Sequence, residues 1–301
     1  MANVTLPKNP ARSSARVTDA RRKAASTARI VALYAVLIGL SIFILAPLGW
    51  MLTAALKPRD VPIFTFPPEW FPTAYWNWSS FTDALFSPKQ PFLRYLLNTF
   101  TLVGLNEVGN LLSVALVAYP FARLRFRGRD ALFKLLIATM LIPAPVLLIP
   151  QFLLFHRIGW VGTYLPLWVP SFTADAFFVF LVRQYMRSIP RDLDDAARID
   201  GATYFTIWWR IILPLSVPAL TVVAVFTFLG VWNDFLGPLI YLNDQNQYTV
   251  ALGLATFHRR VGTQWNEMMA ANLVAIMPPL LVYFLAQKQL IGGISSVGLK
   301  G

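Results

Sequence analysis

Six long apolar stretches decide what this chain can fold into. They run over residues 30–52, 95–121, 131–155, 164–182, 211–232 and 268–286, and the first has no charged residue at all. About 20 helical residues cross the hydrocarbon layer of a bilayer. Inside that layer backbone N–H and C=O groups must pair within the chain, which favours helices over irregular structure. Charged residues make up 13% of the chain and hydrophobic ones 56%; the charged share is about half that of an ordinary soluble domain. The expected fold is therefore all-α: a polytopic membrane helix bundle of six transmembrane helices, forming one membrane domain over residues 30–301. Residues 1–29 are basic and rich in alanine and serine. The apolar run behind them is longer than the core of a signal peptide, so they read as a disordered cytoplasmic tail ahead of an uncleaved anchor.

The net charge of +12 is a statement about topology rather than about nucleic acid. Arg21, Arg22, Lys23 and Arg29 precede the first stretch, and Arg123, Arg125, Arg127 and Arg129 fill the turn after the second. Arg183, Arg187, Arg191, Arg198 and Arg210 follow the fourth, with Lys288 and Lys300 after the sixth. Fewer basic residues fall on the alternate side. By the positive-inside rule both termini face the cytoplasm, and the partner implied by the charge is the bilayer. The chain has no cysteine, which excludes disulfides and thiolate metal sites. It has two histidines, His156 and His258, with no H-E-x-x-H and no G-x-x-x-x-G-K-[ST]. No metal site, no catalytic constellation and no P-loop for ATP is expected on this chain.

Between the fourth and fifth stretches lies a charged island, residues 188–218, reading SIPRDLDDAARIDGATYFTIWWRIILPLSVP. A simple reversal between spans needs only a few residues, so a polar device this large at the membrane surface suggests a docking site for another protein. Pro190 suits a first helical turn. Asp192, Asp194 and Asp195 lie toward the positive end of the helix that follows, with Arg198 placed to pair along one face. Gly201 stops the helix or admits another backbone, and Thr203 is positioned to cap the next one. Trp208, Trp209 and Arg210 are residue types of the headgroup level.

The order Asp195-Ala196-Ala197, then Asp200-Gly201-Ala202, then Leu213-Pro214 with Pro218 beyond, resembles the EAA loop of ABC-importer permeases. Asp195 stands where that loop usually has glutamate, keeping the charge on a shorter arm. The turn AYPFARLRFRGRD (residues 118–130), the triplet Trp232-Asn233-Asp234 and the tail QKQLIGGISSVGLKG extend the resemblance. From residue 30 onward the chain is similar to the inner-membrane permease subunits of carbohydrate ABC importers of the MalG type. The resemblance implies a type-1 transmembrane domain, with a coupling loop at about 188–213, in a bacterial inner membrane. It also implies a homologous second permease subunit, a dimer of cytoplasmic ATPase subunits that bind ATP and Mg, and an extracytoplasmic solute-binding protein. In that scheme Asp192–Ala202 sits in an ATPase cleft. Asp195 and Asp200 orient it, Ala196, Ala197, Gly201 and Ala202 permit close approach, and Leu213-Pro214 passes motion into the fifth span. The tail, a poor free helix, is expected to extend against the ATPase dimer.

Polar groups inside the spans are costly in hydrocarbon and so mark candidate solute contacts. Asn106, Asn110 and Ser113 follow helical spacing with Glu107 beside them, and Asp175 lies in the fourth stretch. They fit either interhelical hydrogen bonds or a hydrated route for a hydroxyl-rich solute. Trp232, with Asn233 and Asp234, is read either as a headgroup anchor or as an indole that stacks on a sugar. Pro143, Pro145 and Pro150 in the third stretch, Pro214 and Pro218 in the fifth, and Pro278-Pro279 in the sixth are expected to kink their helices. The external segment 57–94, dense in proline and aromatics, fits an interfacial belt or a surface for an outer partner. Two alternatives stay open at this point: a permease for glycerol phosphate or another polyol, and an ion-coupled secondary transporter working through Glu107 or Asp175.

Overall fold

Proline and glycine placement set the outline of the fold. A computed structural model describes residues 10–59, 61–67, 69–72, 75–88, 90–257 and 264–298, with the backbone alone for 10–26 and 290–298. His258 and Lys300 lie outside the described residues. Helix α1 (Pro10–Ala55) contains the first span over Thr27–Ala55. Its backbone is already helical from Pro10, where a disordered tail was expected. Alanine, arginine and lysine are strong helix formers, and helix already nucleated in the span propagates back through them.

Helix α2 (Ser79–Phe86) lies ahead of α3 (Phe92–Arg123), which is the second span and the hub of the bundle. Gly128 then adopts φ +81°, and Arg129 opens α4 (Arg129–Thr139), the tight reversal foreseen for this turn. The third span is not one rod. Helices α4 and α5 (Ala144–Arg157) meet at 92° across a short break. Pro143 pushes the residue before it out of helical geometry, and 11 residues of α4 rise only about 16 Å, half the hydrocarbon thickness. The span expected over 131–155 is thus two short helices set at a right angle rather than one kinked helix.

The fourth span, Leu165–Ser188, comprises α6 (Leu165–Trp168), a 3₁₀ turn over Val169–Thr173 and α7 (Ala176–Ser188). Between the last two Ala174 takes φ +58°. The charged island follows as α8 (Asp192–Ile199). Next come α9 (Tyr204–Ile207), a π-turn over Trp208–Ile212 and α10 (Leu213–Leu215). This segment meets α11 (Val217–Trp232) at 72°, so Leu213 and Pro214 stand at a corner and only α11 is the upright part of the fifth span. Beyond it are α12 (Leu236–Tyr241), α13 (Val250–Phe257) and α14 (Trp265–Gly298). Helix α14 carries Pro278 and Pro279 and stays helical through Gly298. The tail, expected to be extended, is helical in its backbone through Gly298, continuing the apolar helix ahead of it.

Two cores share α3. The first gathers Val114, Ala118 and Tyr119 of α3 with Val179, Val182 and Met186 of α7, Ala197 of α8, and Ile207 and Ile212. The second joins the opposite half of α3 (Phe92, Tyr95, Val103) to Ala84 of α2, Phe228 and Trp232 of α11, Val250 of α13 and Ala271 of α14. Nothing in the most apolar window of the first span is buried inside the chain, although α1 packs along α14.

Candidate functional site: the charged helix and the polar stripe

Helix α8 is stopped at its C-terminus by backbone chemistry that its sequence specifies. At its C-terminus the Gly201 N–H donates to the Arg198 carbonyl at 3.0 Å and the Ala202 N–H to the Ala197 carbonyl at 2.9 Å. With Gly201 at φ +81°, this is a Schellman stop, and Ala202 packs against the core that contains Ala197, an apolar contact that often accompanies such stops. Thr203 Oγ1 accepts from the Thr206 N–H at 3.2 Å and opens α9, as its position predicted. Trp208 does not face a headgroup region: it is buried inside the chain, and its Nε1 donates to the Ala115 carbonyl at 3.3 Å.

The side of α8 facing the bundle carries Asp194 and Ala197, three residues apart. Asp194 Oδ2 lies 3.0 Å from Arg123 Nε, and Oδ1 accepts from Arg123 Nη2 at 3.1 Å. The two residues are 6% and 3% exposed. The same guanidinium donates to the carbonyls of Met186 at 3.2 Å, Ile189 at 2.7 Å and Pro190 at 3.0 Å. Those carbonyls end α7, where helical acceptors lack intrahelical partners. Arg123 thus ties the last residue of α3, the end of α7 and the start of α8 into one unit. By sequence alone Arg123 is a topology marker and Asp194 one of three aspartates at a helix start. The available hint was Asp194 sharing a helix face with the small Ala197; nothing in the spacing joins residues 71 apart.

The opposite side of α8 is open. Asp192, Asp195, Ala196 and Asp200 are exposed, and so is Gly201. Leu193 is 41% and Ile199 88% exposed, apolar side chains on a helix outside the membrane spans. Arg198 pairs with Asp195 at 3.7 Å on this surface, a solvated contact of little energetic weight. Ala197, expected to face an ATPase, instead packs into the chain's own core, because Asp194 one turn earlier is drawn inward by Arg123.

The polar stripe of α3 is divided between two neighbours. Asn106 Nδ2 donates to the Leu167 carbonyl at 3.1 Å and to its own helix at Leu102. Ser113 Oγ donates to the Ser171 carbonyl at 3.1 Å, and both side chains are buried against the fourth span. Asn110 Nδ2 donates to Thr227 Oγ1 of α11 at 3.2 Å. Glu107 lies against the Phe228 backbone, with its Oε2 buried and without a hydrogen-bond partner. Asn106 and Ser113 are therefore helix-to-helix links rather than route lining: they satisfy one carbonyl of the short helix α6, at Leu167, and one of the 3₁₀ turn, at Ser171.

Other candidates also change role. Asp175 is not embedded in a helix: its Oδ1 accepts from the Phe177 and Phe178 N–H groups at 2.9 and 3.1 Å, capping α7. Trp232 is 3% exposed, stacked on Phe228 at 5.3 Å, with Nε1 donating to the Ala275 carbonyl at 3.1 Å. Its ring is a core element, neither a headgroup anchor nor an open platform for a sugar. Asn233 is exposed and bonds back to its own helix at Leu229. Asp234 Oδ1 accepts from the Gly237 N–H at 3.0 Å; burial pushes its carboxyl above the usual range and the neighbouring N–H groups pull it back.

A family described as "Binding-protein-dependent transport system inner membrane component" matches residues 110–295, from Asn110 through the Arg123–Asp194 clamp, α8 and most of α14. The chain belongs to this family. It is an inner-membrane permease subunit of an ABC importer, and in such systems ATP hydrolysis lies on separate subunits. The permease is 30% identical over 284 residues to the diacetylchitobiose uptake system permease protein NgcG of Streptomyces coelicolor, covering 92% of this chain and 91% of that one. It is 31% identical over 220 residues to the maltose/maltodextrin transport system permease protein MalG of Vibrio vulnificus, covering 71% and 74%. In fold it matches a chain from the crystal structure of a bacterial ABC transporter involved in import of the acidic polysaccharide alginate. The TM-score is 0.77 at 22% identity, over 87% of the permease and 97% of that chain. Membership sets aside the ion-coupled carrier, and with it any need for Glu107 or Asp175 to move protons.

Proposed function

We propose that this permease imports a carbohydrate with a homologous second permease, and that α8 takes up the motion of two cytoplasmic ATPase subunits that bind ATP and Mg. The observation that carries the reading is the two-sided character of α8. Its inner side is locked to the ends of α3 and α7 by Arg123, while its outer side presents Leu193 and Ile199 among Asp192, Asp195 and Asp200. Burying an isoleucine from water contributes about 1.5–3 kcal/mol, and among the described residues nothing covers this one. A partner cleft supplies that cover, and the carboxylates set the register of docking.

When ATP closes the ATPase dimer, the two clefts approach and each carries its helix with it. Because α8 cannot slide independently of α3 and α7, the displacement passes into the bundle, and through the corner at Leu213-Pro214 into α11. Alternating access follows as a rigid-body change between the two permeases. On the outer side Phe66, Trp70, Phe71 and Trp76 are exposed and fit a solute-binding protein. Both termini face the cytoplasm in this arrangement, in keeping with the basic residues there. The carbohydrate assignment is supported by the sugars named for NgcG and MalG. Asn110 and Glu107, at the α3–α11 contact, are the candidate solute contacts that the packing leaves partly open.

Uptake in proteoliposomes holding the permease pair, the ATPase and the binding protein tests the reading, with an oligosaccharide panel set against glycerol phosphate. ATP-dependent uptake of an oligosaccharide is expected; transport of the phosphorylated polyol alone would overturn the substrate class. In the same assay Gly201→Asp is expected to leave the protein inserted while ATP hydrolysis no longer drives uptake. A Cβ at Gly201 meets nothing within 4 Å, and aspartate tolerates the left-handed backbone better than most residues, so the chain still folds. The new carboxylate sits at the negative end of α8, beside Asp200, where the partner must approach. Normal uptake by this variant would remove the loop from the coupling path.

A further inference from the structure

We infer that a cationic cavity between the cytoplasmic ends of α3, α4 and α7 binds the phosphate of an anionic phospholipid headgroup from the inner leaflet. The cavity has a volume of about 290 Å³ and is lined by Arg129, Arg183, Arg187 and Arg191, with Asp130 the one carboxylate on its wall. Four guanidiniums against one carboxylate leave a net charge of +3. Asp130 is already engaged by Arg129 Nε at 2.9 Å. Among the described residues Arg183, Arg187 and Arg191 form no salt bridge. The positive-inside rule asks for cations near this surface but not for their convergence on one cavity.

Arg183 gives the cavity its built character. It is 7% exposed, its Nε donates to the Phe121 carbonyl at 3.1 Å, and its guanidinium carbon lies 3.8 Å above the Phe133 ring. The side chain is fixed, with the rest of its fork of donors free for an acceptor, while Arg187 and Arg129 repel it from nearby. Phosphate oxygens match such a fork in charge and geometry. The flank of the cavity favours a lipid over free phosphate. Arg183 lies within the span Leu165–Ser188, and α4 beside it exposes Leu132 and Leu135 on a segment at membrane depth. Acyl chains run along that apolar surface once the headgroup is seated; basic pockets between helices on this side of a membrane commonly hold anionic lipids. The inference is independent of the role proposed for α8.

The test uses the full-length chain in phosphatidylcholine nanodiscs doped with phosphatidylglycerol, with retained lipid read by native mass spectrometry and stability by thermal unfolding. Phosphatidylglycerol is expected to be retained and to raise Tm. Arg187→Gln with Arg191→Gln, both exposed and so safe for folding, is expected to weaken retention about thirtyfold. Arg125→Gln with Arg127→Gln removes the same charge from the exposed turn outside the cavity and is expected to retain lipid normally. Equal loss in that control would reduce the effect to general surface charge and overturn the inference. Protection by inorganic phosphate alone, matching that of phosphatidylglycerol, would overturn the lipid assignment. So would unchanged lipid retention together with loss of a co-purifying cytoplasmic subunit from the Arg187/Arg191 variant, which would make the cavity a protein contact.

Discussion

Arg123→Ala is expected to abolish ATP-coupled uptake and to lower the thermal stability of the permease, although Arg123 touches neither solute nor nucleotide. Removing one partner of a buried ion pair costs about 3–5 kcal/mol, because the other charge stays buried and uncompensated. Here Asp194 is left in that state, and the carbonyls of Met186, Ile189 and Pro190 lose their donor together. The link from α8 to α3 and α7 then opens, so proteolysis should cut between residues 188 and 204 in the variant and not in the parent. Arg123→Lys retains the charge but cannot span four acceptors, and should fall between the two. Arg123→Met combined with Asp194→Leu removes both charges; it should regain part of the lost Tm without regaining uptake. Wild-type Tm and uptake in Arg123→Ala would show that the clamp carries no force.

Gly109→Leu is expected to prevent accumulation of folded protein. A Cβ at Gly109 falls onto Ser171 Oγ and within 2.8 Å of the Phe172 ring, so even alanine displaces those two side chains and leucine has no room beside the fourth span. Overpacking of this kind costs about 1–3 kcal/mol by itself. It also pulls apart the bonds from Asn106 to Leu167 and from Ser113 to Ser171, each worth about 0.6–2 kcal/mol between membrane helices. Gly104→Leu is the control: it lies on an exposed face of the same helix with nothing within 4 Å, and should leave Tm unchanged. The comparison is read by fluorescence-detected chromatography after heating. Equal Tm values for the two variants would contradict the packing described for α3.

The apolar stretches and the island between the fourth and fifth spans were legible because each rests on local rules. Hydropathy over about 20 residues marks a span, Gly201 marks a helix stop, and Thr203 marks a helix start. What escaped the sequence was non-local. Three prolines announced a disturbance in the third span, but only packing turns it into a right-angled break between Thr139 and Ala144. Trp232 carries the same side chain whether it anchors at a headgroup, stacks on a sugar or fills a core; its bond to Ala275, 43 positions away, decides among them. Asp175 in an apolar run looks like a buried charge until the backbone turns at Ala174 and makes it a cap. Asp194 was hidden for the opposite reason: three neighbouring aspartates are equivalent by composition, and only the one opposite Arg123 is buried.

The central claim is that the exposed face of α8 docks on an ATPase subunit in the cytoplasm. The chain has no cysteine, so Ile199→Cys introduces its one thiol at the most exposed apolar position of that helix. In the assembled importer this thiol should cross-link to the ATPase subunit, and it should react with a membrane-impermeant maleimide in inverted vesicles but not in intact spheroplasts. Labelling from outside intact spheroplasts, or an actively transporting complex with no cross-link from position 199 to its ATPase, would contradict the account.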